Sequence, residues 1–316
     1  MRFMILWLSG LWMSVAMPVQ VSAAPSPAPQ PVVDAPAQPA TSPSAVSRKS
    51  FLWAVKSPTN TVYLFGTIHV GRRDFYPLPE AVEAALKASP KVVVEADISD
   101  ASGLADLPAL MTYAPPDTLD KNIPAELSDR LQAQLARLKI APAAVNALRP
   151  FMVAGLLSVS EFGRIGYDAA QGVDAYVIKS AKAAMKPVLQ LESVRGQISL
   201  LAGMPKDIQV AFLENTIAGL ERGKSADQVI GVINAWQSGD ARLMQEVADE
   251  ANRGLRKLEQ LDELLLHGRN RDMLSKIEGF LADKDAHFVA VGSLHLTGAR
   301  GLLALLAGKG YEIKQL

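Results

Sequence analysis

A strand that runs into Gly-x-x-His occurs twice in this chain, and that pairing limits what the chain can fold into. Val62-Tyr-Leu-Phe65 is a short run of β-branched, aromatic and aliphatic residues, long enough for a buried strand, and it stops at Gly66. His69 follows three residues later and Gly71 closes the turn. Near the other end, Phe288-Val-Ala-Val291 runs into Gly292-Ser-Leu-His295, with Gly298 beyond it. A glycine lets backbone approach closely, and a polar side chain just past a strand's carboxyl end is where α/β proteins build sites. Two further apolar runs end in carboxylates, Lys91-Val-Val-Val-Glu95 and Pro187-Val-Leu-Gln-Leu191 before Glu192. If these four strands lie parallel in one sheet, His69, Glu95, Glu192 and His295 gather along its carboxyl edge.

The intervening segments predict helices. Phe51–Val55 and Val62–Phe65 flank the turn Ser57-Pro-Thr-Asn60 and read as a hairpin. Pro79 opens a helix over Glu80–Ala88, and the strand–helix–strand order from 62 to 95 implies a parallel crossover. Residues 103–165 are helical in pattern, with Leu127, Leu131, Leu135 and Leu138 on one stripe. Gly172–Met185 reads as a helix before the strand at 187–191, and 194–283 as a long all-helical stretch. A helix over Ala299–Ala307 and a strand over Tyr311–Lys314 end the chain. The class is α/β, with a central, mostly parallel sheet and a large helical portion.

Lysine plus arginine and aspartate plus glutamate stand at 32 each, which gives no electrostatic case for nucleic acid. Arg2, the apolar run Phe3–Met17 and the small residues of Val21-Ser-Ala23 form an export signal over residues 1–23. The apolar run is short for a membrane span, so no stable span is expected after cleavage, and the destination is periplasmic or secreted. Residues 24–48, with seven prolines among Ala, Ser, Gln and Val, predict an extended linker, leaving 49–316 as the domain. The chain has no cysteine, so no disulfide supports it.

Imidazole and carboxylate together suit a divalent metal ion with open coordination positions, or an acid/base pair working without one. Glu192 and Gln197 could hold a histidine tautomer and a water, or complement a helix N-terminus. Arg269 could grip a substrate carboxylate, orient Glu95, or be a solvated helix charge. His267 and His287 fit neither motif and are expected to be structural or exposed.

Six pieces carry a family resemblance: Leu64-Phe-Gly-Thr-Ile-His69, Val92-Val-Val-Glu95, Gly172-Val-Asp174, Leu191-Glu-Ser-Val-Arg-Gly-Gln197, Arg269-Asn-Arg271, and Val291-Gly-Ser-Leu-His-Leu-Thr-Gly298 with Gly301-Leu302. In these the chain resembles the TraB/GumN family, which includes the Wnt-inactivating TIKI proteins. The resemblance implies an erythromycin-esterase/TIKI-like architecture and a metal-dependent hydrolase, a peptidase in particular. It assigns the active centre and the metal to His69, Glu95 and His295 only; Glu192 and Arg269 stand beside them as further candidate site residues, and histidine with carboxylate suits manganese, cobalt or zinc alike. Ser293 departs from the Ala or Gly common in relatives but keeps the histidine spacing. A peptide or small molecule is the expected substrate. Two rival readings are a metal-free esterase-like hydrolase and a non-catalytic envelope binding protein.

Overall fold

The expected hairpin forms, with β1 (Leu52–Lys56) antiparallel to β2 (Thr61–Thr67) in the register Ala54 to Tyr63. The computed structural model describes residues 49–97, 99–100 and 105–316; the signal and linker segments lie outside the described residues. After β2 come α1 (Glu80–Ala88), β3 (Lys91–Val94), α2 (Leu107–Met111), α3 (Ala125–Arg137), α4 (Pro150–Arg164) and α5 (Val173–Ala183). Next are β4 (Val188–Gln190), α6 (Val194–Ala202), α7 (Lys206–Glu221), α8 (Ser225–Gln237), α9 (Ala241–Asn252) and α10 (Leu258–Asp262). A π-turn over Glu263–His267 leads into α11 (Gly268–Ala282). The chain closes with β5 (His287–Gly292), α12 (Ser293–Leu296), α13 (Leu302–Gly308) and β6 (Glu312–Gln315).

The six strands make one sheet in the order β4-β3-β5-β2-β1-β6. β4, β3, β5 and β2 are mutually parallel, and β1 runs against both β2 and β6. The class is therefore α/β with a mostly parallel sheet and abundant helix, as the sequence predicts. β5 sits between β3 and β2 and is buried at every position, which is why it reads as an unbroken apolar run. Phe65 and Phe288 meet on the sheet at 5.6 Å, and Trp236 of α8 covers Phe65 and Phe75. The Trp236 indole N–H also donates to the Gly66 carbonyl at 2.7 Å, fixing the end of β2 against the helices.

This strand order is what positions the site. The two Gly-x-x-His turns belong to neighbours β2 and β5, and the two carboxylate endings to neighbours β3 and β4. All four endings thus line one edge of the sheet. Val62 pairs with His287, and Thr67 with Gly292, so the two histidine turns leave the sheet at the same height.

Candidate active site

The turn after β2 is stitched to the start of α5. Val173 N–H donates to the Ile68 carbonyl at 2.8 Å, and Gly71 and Asp168 exchange two backbone bonds at 2.9 and 3.0 Å. Both glycines are required by space. A Cβ on Gly71 would lie 2.0 Å from the Gln171 carbonyl oxygen, and one on Gly172 2.9 Å from the His69 carbonyl oxygen. This backbone-to-backbone packing delivers Asp174, in the first turn of α5, to His69, with Nδ1 and Oδ2 2.8 Å apart. The oxygen stands off the axis of an in-line hydrogen bond, so the contact is electrostatic, and both His69 ring nitrogens are buried without a hydrogen bond.

His295 lies in the single turn of α12 and is fully buried. Its Nδ1 is 2.6 Å from Asn270 Oδ1. The Asn270 amide group donates to the Arg300 carbonyl at 2.9 Å, which fixes which end of the amide faces the ring. Since Oδ1 can only accept, Nδ1 of the neutral ring donates, and the lone pair sits on Nε2. Ser293, at the position where the family resemblance breaks, donates from Oγ to the Thr67 carbonyl at 2.8 Å and ties the two histidine turns together.

Glu95 follows β3 and is almost wholly buried. Its Oε1 accepts from the Gly292 N–H and lies 3.6 Å from His295 Nε2, while its Oε2 accepts from Arg269 Nη2 at 2.8 Å. Glu192 faces the same guanidinium, accepting from Nε at 2.9 Å and from Nη2 at 2.7 Å. Gln197 Nε2 donates to Glu192 Oε2 at 2.7 Å. Arg269 is the second residue of α11, and its Nη1 donates to the Leu265 carbonyl inside the π-turn at 3.0 Å. A π-turn widens the helix and recurs where a helix serves a site.

Burial pushes the Glu95 carboxyl above its ordinary range, against the pull of Arg269 and His69 and with help from nearby Glu192. Burial also acts to raise Glu192, but Arg269, Gln197 and Lys276 outweigh it and hold this carboxylate below its ordinary range. Between two carboxylates, Arg269 is pushed up despite its burial and stays charged.

Five residues singled out in the sequence, His69, Glu95, Glu192, Arg269 and His295, thus stand along one sheet edge. Gln197 belongs with them, and Glu192 does not cap α6, because Ser193 accepts from the Gly196 N–H there. Arg271 is turned away to an exposed pair with Glu263. His287 is buried at the opposite end of β5, stacked on Phe280. Asp174 and Asn270 were not anticipated as partners of the histidines, although both fall inside the sequence pieces that carry the resemblance.

In kind, the donors suit a divalent cation: two imidazoles with Nδ1 turned to an oxygen, a buried His69 Nε2 without a hydrogen bond, and Glu95 Oε1. In spacing, no group of three or more His, Asp or Glu among the described residues is close enough to hold one as the side chains stand.

A twisted, mostly parallel sheet with paired histidine turns and an arginine-bridged carboxylate pair defines an α/β protein with a polar centre at the carboxyl ends of its strands. The family model described as TraB/PrgY/gumN family matches residues 51–315, and the chain belongs to that family. Among its relatives is the "Uncharacterized protein YbaP" of Escherichia coli, 28% identical over 251 residues, covering 77% of this chain and 87% of that protein. The protein of the same name from Shigella flexneri matches to the same extent. A "Metalloprotease TIKI homolog" of Amphimedon queenslandica is 22% identical across 85% of this chain, and the match spans 62% of that protein. No solved structure matches.

Proposed function

We propose that this protein is an exported hydrolase of peptide bonds working at His69, Glu95 and His295 with a divalent metal ion. One observation carries the reading. Two histidines 226 positions apart in sequence order come to adjacent strand ends, and each presents Nδ1 to an oxygen of a helix residue. That arrangement favours the Nδ1 proton on each neutral ring and so puts the lone pair of each on Nε2, the atom that can act as a ligand. The name of the Amphimedon queenslandica relative supports the same reaction class.

Within it the residues divide the work. Asp174 favours the proton on Nδ1 of His69, so the Nε2 lone pair is the one His69 would offer to the ion. Asn270 does the same for His295 without adding charge. Arg269 keeps Glu192 ionised and holds Glu95 Oε2, leaving Oε1 toward His295. When bound by His69, Glu95 and His295, a manganese, cobalt or zinc ion supplies Lewis acidity and lowers the pKa of water. The leader at residues 1–23 supports export to the periplasm or beyond, with Ala24 as the mature N-terminus.

The experiment is digestion of an unfolded protein chain by the purified exported protein, stripped with chelator and then given manganese, cobalt or zinc. Cleavage should depend on the added ion. His69→Ala or His295→Ala should each remove most of it, and the double variant should lose little more than either single, because residues acting as a unit are non-additive. Cleavage that survives in the double variant removes this reading.

A further inference from the structure

The sheet has an open side at the site. β4 is its outer strand, with β3 on one flank and, among the described residues, no strand on the other. Val92 N–H donates to the Pro187 carbonyl at 3.1 Å and Leu191 N–H to the Val94 carbonyl at 2.8 Å, so alternate residues of β4 face β3. In a parallel ladder the residues between them, Val188 and Gln190, turn their N–H and C=O groups outward. Among the described residues no group bonds to these four.

Proteins ordinarily blunt such an edge with charge. Here Lys186, just before the strand, is turned away, its ammonium capping the carbonyls of Leu86, Lys87 and Ser89 at 2.6 to 2.7 Å, and Lys276, at the far end, is engaged by the Leu191 carbonyl. In their place stand apolar side chains. Of the three large exposed hydrophobics among the described residues, Leu189 (36% exposed) is in β4 and Met185 (92%) is in the turn that leads into it. The edge also leads somewhere: two residues beyond Gln190 is Glu192, which grips Arg269 in the site. An unpaired, apolar edge that ends at a polar centre fits a chain that adds by backbone pairing and then passes over the centre.

We propose that the outer edge of β4 is the docking strand for an extended peptide substrate, which pairs with Val188 and Gln190 and is led from there to Glu192 and Arg269. This rests on the hydrolase reading above for what happens to the peptide, but not for its binding. Backbone groups of Val188 and Gln190 supply recognition independent of sequence, and Leu189 and Met185 supply an apolar preference on the flanking side chains. The substrate class is thus an unfolded or extended polypeptide segment, not a compact small ester.

The test uses reduced, carboxymethylated lactalbumin as the unfolded chain. Amide hydrogen exchange is followed in the His69→Ala protein, whose β4 is intact and in which cleavage is suppressed. The Val188 and Gln190 amides should exchange freely without the chain and about tenfold or more slowly with it at saturation. In the otherwise wild-type protein, Leu189→Lys, which places a charge on the edge, and Val188→Pro, which deletes one outward N–H, should each raise KM about tenfold with thermal unfolding unchanged. Protection without cleavage by the wild type would keep the docking strand and remove the hydrolase. Cleavage without protection, or both variants cleaving with wild-type KM, would overturn the docking strand. So would amides already protected in the free protein, since another segment would then occupy the edge.

Discussion

Replacing Arg269 by glutamine should expose what its guanidinium does. The side chain is 12% exposed, and its partners Glu95 and Glu192 are 6% and 17% exposed. Glutamine keeps some hydrogen bonding but leaves two buried carboxylates facing one another without a cation. Removing one partner of a buried ion pair typically costs about 3–5 kcal/mol, because the remaining charge stays desolvated. For a domain of this size that is a fall in melting temperature on the order of 10 °C. The loss should also depend on pH. In the wild type, Glu192 is held low and contributes stability above its unfolded value of about 4.3, lost as pH falls through its lower folded value. Without Arg269 that sign reverses. Both carboxyls then have folded values above the unfolded one, so their contribution is intact below about pH 4.3 and is lost as pH rises through the raised values. The deficit of Arg269→Gln against wild type should therefore be larger near pH 7 than near pH 4.5. Urea denaturation in chelator at several pH values reads both effects. The companion variant Arg269→Gln with Glu192→Gln, which removes one of the stranded charges, should recover much of the loss. A deficit below about 1 kcal/mol, the range of exposed ion pairs, or one that is flat with pH, would make Arg269 a solvated helix charge and refute the reasoning.

Two further outcomes follow from the turn after β2. Asp174→Asn keeps the size but removes the charge that favours the Nδ1 proton of His69, so kcat/KM should fall about 10- to 100-fold with the melting temperature nearly unchanged. Wild-type kinetics would place Asp174 outside the site. Gly71→Ala puts a methyl group 2.0 Å from a backbone oxygen that cannot swing aside, which should cost about 1–3 kcal/mol in denaturant unfolding. Stability equal to wild type would mean that the contact between the two turns is slack.

What the sequence conveyed of all this follows from the reach of each signal. Short apolar runs closed by glycine or proline are local, so the hairpin, α1, β3, β4 and β5 were legible within a residue or two. β3 stops at Val94, one residue early, because Glu95 is drawn aside to the Gly292 N–H and Arg269. The last helix starts at Leu302 and not at Ala299, because Gly298 takes a left-handed φ of 78° and a Cβ on Gly301 would strike the Thr297 carbonyl at 2.2 Å. Strand order was not legible, since it depends on which runs pair across about 100 residues or more. Nor were the partners of the histidines. Asp174 reads locally as a first-turn acid complementing a helix dipole, and Asn270 as an ordinary residue within α11. Only the stitching of Val173 to Ile68, and the reach of α11 to α12, give those two residues their roles.

The geometry of Glu95 then explains why the two halves of the centre need one another. Its two oxygens face different chemistry: Oε2 meets the Arg269 guanidinium, which is shared with Glu192, and Oε1 meets the Gly292 N–H and looks toward His295 Nε2. Arg269 sets the charge on one side, while Asp174 and Asn270 set the tautomers on the other. Because β3 lies between β4 and β5, Glu95 is the residue whose strand touches both sides. The order β4-β3-β5-β2 therefore does more than gather four strand ends. It places a carboxylate that burial holds above its ordinary range between a fixed cation and two oriented imidazoles, and an order that parted β3 from β5 would take Glu95 away from His295.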